Sequence, residues 1–437
     1  MLSVFKTAQL CKFFCLSANN LEKYFCLATK LLAVLCKAKP LCKAAAHSRY
    51  AIYAVINARE DVMAFPSLKI GDLVARMPII QGGMGVGISL SRLASAVANE
   101  GGIGVIAAAM VGMRERDVAS NPVEAHTRAL RAEIEKARSS TSGIIGVNIM
   151  VALTTFAEMA RTAIESRADI IFSGAGLPMD LPKIFLETCA RKKEEFRTRL
   201  VPIVSSGRAA AVIAKKWLAK TGLLPDAFVL EGPRAGGHLG FSEDRIFDSS
   251  CSLENLISEV TDVAHSLEDK AGRAIPVVAA GGIFSGADIA RMMSLGASGV
   301  QMATRFVTTE ECDADIRFKE AYMHAKPQDI TIIHSPVGMP GRALDNEFIE
   351  EAREGKKKPF KCVFHCIKTC DPKTSPYCIA SALINAMKGN LDKGFAFCGD
   401  NAGRAKKIVS VHELMESLKR EYDDFMASFR KDPLPSC

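Results

Sequence analysis

No uncharged apolar run in this sequence reaches the roughly 18 residues that a membrane-crossing helix needs. The longest candidates, near the N-terminus, are broken by Lys23, Lys30 and Lys37. No bilayer-spanning segment is expected. A clean signal peptide is also lacking, and 14 cysteines in 437 residues are too dilute for a secreted disulfide scaffold. These absences point to reduced thiols in a cytoplasm. Charge of one sign is scarce once it is located. The formal net charge is +8, but residues 1–62 hold nine Lys and Arg against three Asp and Glu, leaving only +2 for the rest of the chain. A near-neutral body whose aromatics are not interleaved with basic clusters carries no footprint for DNA or RNA. With 49% hydrophobic and 24% charged residues, the composition is that of an ordinary globular protein.

The chain divides into three stretches. Residues 1–62 form a basic, Cys-rich extension (Cys11, Cys15, Cys26, Cys36 and Cys42) without strand–helix alternation, read here as sequence ahead of a start at Met63 rather than as a targeting peptide or helical extension. Residues 63–330 alternate short apolar runs with amphipathic stretches, the pattern of βα units around a parallel sheet. Eight strands can be counted: MPIIQGG, GIGVIAA, IIGVNIM, ADIIFSGAG, LVPIVSS, AFVLEG, IPVVAAGG and GVQMATRF. That number over this length predicts an α/β fold, a (β/α)8 TIM barrel, rather than an open doubly wound sheet. Residues 331–437 lose the alternation and read as an appended Cys-rich and helical region, with no strands for a second sheet.

In a parallel barrel the active site lies at the C-terminal ends of the strands. Here those ends are glycine-rich: Gly82, Gly83 and Gly85; Gly174 and Gly176; Gly232, Gly236 and Gly237; Gly281 and Gly282. Glycine lets a ligand approach the backbone, so the repetition points to a large flat ligand across the barrel mouth. The loops after strands seven and eight, with a following helix N-terminus, suit a phosphate. With no P-loop lysine, a monophosphate fits better than a triphosphate. His238 is the acid/base candidate, the only histidine after a barrel strand inside a glycine cluster. His126, His265, His324 and His412 lie in polar helical stretches and read as surface residues. Cys362, Cys366, Cys370 and Cys378 are spaced C-x3-C-x3-C-x7-C. Four thiolates suit zinc or an iron–sulfur cluster. The spacing matches no CxxC knuckle, however, and an i, i+4, i+8 run on a helix packs as small hydrophobes, so no metal is expected.

The motifs PIIQGGMGVGIS, GVNIM, SGAG, EGPRAGGHLGF, AAGGI and GVQMATRF together resemble the nitronate monooxygenase (2-nitropropane dioxygenase) family of FMN-dependent barrels, which is similar to the flavin-dependent enoyl-ACP reductases. The resemblance covers about residues 66–345. It implies FMN contacts from Gly83, Met84, Asn148, Gly174, Glu231 and Gly237. The phosphate would sit on Gly281, Gly282, Ala303 and Thr304, with Gln301 close by. Ala303 stands where the family usually has glycine, adding one methyl at the phosphate loop. His238 inherits the catalytic position. The implied reaction is oxidation of an alkyl nitronate, or of a neutral nitroalkane, by dioxygen to a carbonyl compound and nitrite. An NAD(P)H-dependent enoyl-ACP reductase is the alternative, and a flavin-binding protein without turnover a third reading. Oligomeric state cannot be read from these motifs.

Overall fold

The computed structural model describes residues 65–431 apart from residue 359, so the expectation for residues 1–62 lies outside the described residues. The chain opens with an antiparallel hairpin of β1 (Leu68–Ile70) and β2 (Leu73–Ala75), turning at Gly71 with φ +61°. The barrel begins with β3 (Ile79–Gln81), β4 (Ile103–Ala107), β5 (Ile144–Met150), β6 (Ile170–Gly174), β7 (Arg199–Val204) and β8 (Phe228–Glu231). A two-residue strand, β9 (Gly237–His238), leaves the ring, which β10 (Val277–Ala280) and β11 (Gly299–Met302) complete. β11 pairs with β3 through Val300 and Ile79, and all eight neighbours run parallel. Each of the eight predicted apolar segments coincides with one barrel strand, β7 starting one residue earlier at Arg199.

Parallel strands covered on both faces read as nearly continuous apolar runs, which is why they were countable. β4, β6 and β10 are buried at every position. Leu68 and Ile70 of the hairpin enter the barrel interior with Ile80, Ile103, Val105, Ile170, Phe172, Val201, Val229 and Val278. The hairpin therefore plugs one end and leaves the other for a site. Outside the ring, helices bury one stripe each. In Ser91–Asn99 that stripe includes Leu93, Ala94, Val97 and Ala98. The Gly207–Thr221 helix starts where the Ser206 hydroxyl accepts from the Ala209 N–H and stops at Gly222 with φ +72°. Its Trp217 is fully buried and donates from Nε1 to the Pro178 carbonyl at 3.0 Å.

One expectation fails beyond the barrel. Residues 330–344 supply strands after all: β12 (Ile330–His334) and β13 (Pro340–Leu344) form an antiparallel hairpin, and β13 pairs with β9 through Gly341 and His238. Pro336 and Gly338 of SPVGMPG lie in the hairpin's turn while Pro340 and Gly341 open β13, and a two-residue partner strand is too short to leave a pattern. This three-stranded sheet brings the C-terminal region back to the loop that carries His238. Among the described residues no helix is long and apolar enough to cross a membrane.

Candidate active site

A cavity of about 210 Å³ opens at the C-terminal ends of the barrel strands. It is lined by every residue singled out for the flavin and for catalysis, except Met84. Met84 follows Gly83, but its N–H is tied to the Ser89 hydroxyl at 2.9 Å and its carbonyl accepts the Ser89 N–H at 3.0 Å. The glycines are there for space. A Cβ on Gly83 would lie 2.3 Å from Cβ of Asn148, so the asparagine side chain packs where a first-strand side chain would stand. The methyl of Ala303 lies 3.4 Å from the place of a Cβ on Gly82, and so its extra carbon faces a residue without a side chain.

Gly281 and Gly282, both at φ above +80°, turn the chain out of β10. The helix that follows, Gly286–Ser294, does not have a free N-terminus. Asp288 accepts from the N–H groups of Phe284 and Ser285, Ser285 accepts from the Asp288 N–H, and Glu421 accepts from the Gly286 N–H at 2.8 Å. Gly281, Gly282, Ala303 and Thr304 line the cavity, whereas the N–H groups around the start of this helix already have partners in Asp288, Ser285 and Glu421. In the helix after strand seven, the Gly286 N–H is held by the Glu421 carboxylate and the Asp288 N–H by the Ser285 hydroxyl.

His238 sits on β9 with Nε2 2.7 Å from Ser335 Oγ and its ring 4.9 Å from that of Phe397, edge to face. Ser335 Oγ also accepts the Val337 N–H at 3.3 Å. Burial pushes the imidazole down to about 4, so it is neutral at pH 7. Glu231, at the end of β8, is pushed the other way by burial, up to about 7. The cavity thus holds a neutral imidazole and a carboxyl that ionises near neutrality, a pairing typical of functional sites.

Sequence reasoning missed the C-terminal contribution. Ser335 reaches His238 across 97 residues. Gly399 and Asn401 line the cavity, and a Cβ on Gly236 would lie 2.5 Å from backbone atoms of Cys398 and Gly399. Arg234, also in the lining, is paired with Asp400 at 2.7 Å. Arg342 of β13 donates to the carbonyls of Pro233 at 2.9 Å and Ala235 at 3.2 Å, fixing that loop from below. The only available signal was the glycine-punctuated FCGDNAGR, which follows no barrel strand.

Among the other histidines, His265, His324 and His412 are exposed as expected. His126 is not: it is buried, and its Nδ1 accepts the Gly112 N–H at 2.8 Å. It lies on the inner face of Pro122–Ser140, where it satisfies a loop N–H that water cannot reach. The helical reading of the cysteine run also fails, because residues 362–378 form an irregular loop.

Residues 67–421 match the model of the nitronate monooxygenase family, most of the chain. The chain belongs to that family. As a member of the nitronate monooxygenase family it is a flavin-dependent oxidoreductase. It is similar to a probable nitronate monooxygenase of Staphylococcus aureus, 28% identical over 301 residues, which are 63% of this chain and 77% of the relative. A carboxyl-CoA dehydrogenase of Mycobacterium tuberculosis, acting on an octahydro-indene compound, is 29% identical over 280 residues, 64% of this chain and 66% of that one. Among solved structures, FabK from Thermotoga maritima matches with a TM-score of 0.62 and 26% identity, covering 81% of this chain and 95% of that chain. A nitroalkane oxidase from Streptomyces ansochromogenes, at 20% identity and a TM-score of 0.61, covers 80% of this chain and 97% of its own and shares the fold.

Proposed function

We propose that this protein is an FMN-dependent nitronate monooxygenase, converting alkyl nitronates and dioxygen to carbonyl compounds and nitrite. The observation that carries the reading is His238, neutral and half-buried at the edge of a glycine-floored cavity and held there by Ser335. A neutral imidazole leaves an anionic nitronate without a competing fixed charge and offers its nitro oxygens or its carbon a hydrogen-bonding group. FMN bound in the cavity would supply the redox chemistry.

The residues present suit that group. Gly83, Gly174 and Gly237 leave room along the strand ends, Asn148 offers an amide, and Gly281, Gly282, Ala303 and Thr304 surround the place for a phosphate, with Gln301 beside them. His238 orients the nitro group of a preformed nitronate or takes the proton from a neutral nitroalkane, and Ser335 fixes the ring for either task. Phe397 and the hairpin turn beyond it limit water around the imidazole.

The likeness to FabK supports a second reading, reduction of an enoyl thioester by NAD(P)H. One experiment separates the two. The purified protein, loaded with FMN and kept anaerobic, is mixed with ethyl nitronate or with NADH and NADPH while absorbance is followed. Bleaching by the nitronate alone is the expected result. Rapid bleaching by a nicotinamide would transfer the assignment to the reductase, and failure to bind FMN would end both readings.

A further inference from the structure

We propose, on the reading of the cavity as a flavin site, that Asn401 donates from its side-chain amide to the flavin phosphate, brought there by the C-terminal region and aimed by Arg404. The phosphate end is short of other donors. A helix start commonly offers a phosphate its free N–H groups. In Gly286–Ser294 these are engaged by Glu421 and Ser285, while Asp288 takes the N–H groups of Phe284 and Ser285 just ahead of it.

Residues 398–404 stand where the missing donors are needed. Cys398 donates its N–H to the Arg342 carbonyl at 3.1 Å and Asp400 to the Arg234 carbonyl at 3.2 Å, which clamps the segment between β13 and the loop after β8. A Cβ on Gly399 would lie 2.8 Å from Thr304 Oγ1. The Arg404 guanidinium lies 4.3 Å from the centre of the Phe284 ring and 3.9 Å from the Asp288 carboxylate. Asn401 is thereby bracketed by the loops after β10 and β11, the two that carry Gly281, Gly282, Ala303 and Thr304.

Its side chain has one orientation open to it. Asn401 is only 4% exposed, yet it lines the cavity. Its Oδ1 accepts from Arg404 Nη1 at 2.9 Å, and because arginine has no acceptor atom, the amide must turn its carbonyl to the guanidinium and its NH2 away from it. Among the described residues no hydrogen bond engages Nδ2, and the sealed-in side-chain atoms without a partner are the hydroxyls of Ser166 and Tyr377, so Nδ2 reaches open space. A donor on so buried a residue is costly to leave unpaired, and a phosphate oxygen completes it. The N–H groups of Gly282, Thr304, Gly399 and Asn401, all cavity residues, are likewise engaged by no hydrogen bond among the described residues. Unpaired N–H groups around one concavity favour an anion. The charges agree. The Asp400 carboxylate is held by Arg234 at 2.7 Å and faces Arg342 at 3.8 Å, while the guanidinium of Arg404 stands directly behind the amide.

The test uses the full chain and two ligands that differ only in the phosphate, FMN and riboflavin, with binding followed by quenching of flavin fluorescence. The parent should bind FMN far more tightly than riboflavin. Asn401→Asp keeps the size of the side chain and an acceptor for Arg404 while removing the donor, whereas Asn401→Ala removes both. A hydrogen bond to a charged group corresponds to about 10- to 100-fold in affinity. FMN affinity should fall by that factor in Asn401→Ala and by at least as much in Asn401→Asp, with riboflavin affinity unchanged in both. Should Asn401→Ala fail to fold, as judged by circular dichroism, Asn401→Asp makes the comparison alone. Equal losses for FMN and riboflavin would make Asn401 a packing residue of its segment, and undiminished FMN binding would remove it from the site. Either result overturns the proposal and leaves the flavin reading intact. A parent that binds riboflavin as tightly as FMN overturns it too, and a parent that binds neither ends the flavin reading with it.

Discussion

At His238 burial has moved the imidazole away from its ordinary value, and the direction bears on its task. General acid–base catalysis contributes about 10²- to 10⁴-fold when the pKa sits near the working pH. A ring pushed down to about 4 is a weaker base than that optimum. His238→Ala should therefore lower turnover of a neutral nitroalkane about 10²-fold, at the modest end of the range. It should lower turnover of the preformed nitronate much less, because that proton is already gone. Steady-state rates with both substrates on one flavin-loaded preparation check this, and equal, undiminished rates would make His238 a structural residue. Glu231 predicts a stability effect in the flavin-free protein. Its folded pKa, about 7, lies above the ordinary 4.5, so between these values the folded state binds more protons than the unfolded state, and stability falls as pH rises. His238 acts in the opposite sense between about 4 and 6.5, where the unfolded chain binds more protons and stability rises with pH. In the parent the two effects nearly cancel between about pH 4.5 and 6.5, so Glu231→Gln should leave the rise from His238 uncancelled, seen as urea midpoints that climb with pH from about 5 to 6.5, and a profile like the parent's would refute the assignment.

Elements explain what the sequence could and could not reveal. The barrel strands were legible because a strand buried on both faces has few options beyond Val, Ile, Leu, Ala and Gly, and each run here is bounded by glycine or a polar turn. β9, β12 and β13 were not legible. β9 pairs with β13 across about 100 residues, and β9 and β12 are only partly buried, so neither shows a continuous apolar run. The site divides in the same way: the glycines, Asn148, Glu231 and His238 follow strands in sequence, whereas Ser335, Gly399 and Asn401 arrive only through folding. His126 was misread because its helix is polar on balance, and which of its turns faces the barrel is settled by packing. The close approach at Gly236 makes this arrival testable. A methyl there meets backbone, which cannot rotate away, so Gly236→Ala should cost about 1–3 kcal/mol as overpacking and weaken FMN binding by displacing the 398–401 segment. Breaking the half-exposed ion pair beneath it with Asp400→Asn should cost under about 1 kcal/mol. Urea titrations of the two variants, with flavin binding followed by fluorescence, compare them directly. A larger loss from Asp400→Asn would mean that charge, rather than fit, holds the segment in place.

Across the whole molecule, stability and chemistry are assigned to opposite ends of one barrel. The plug formed by β1 and β2 sends Leu68 and Ile70 into the interior at the N-terminal end of the strands, while the cavity and the three-stranded sheet occupy the other end. The layers of Ile, Val and Phe between them form a packed core rather than a channel. A void made at the plug should therefore destabilise the fold without altering the geometry of the mouth. Leu68 is 1% exposed, and truncating a buried leucine to alanine costs about 2–5 kcal/mol through lost transfer energy and the cavity left behind. Leu68→Ala should lower the urea midpoint accordingly with the slope preserved, since the surface exposed on unfolding hardly changes. At a temperature where the variant remains folded, its flavin content and its kcat/KM for nitronate should match those of the parent. Loss of flavin or of kcat/KM in a folded Leu68→Ala protein would show that the interior layers transmit strain from plug to mouth, and that the separation of the two ends fails.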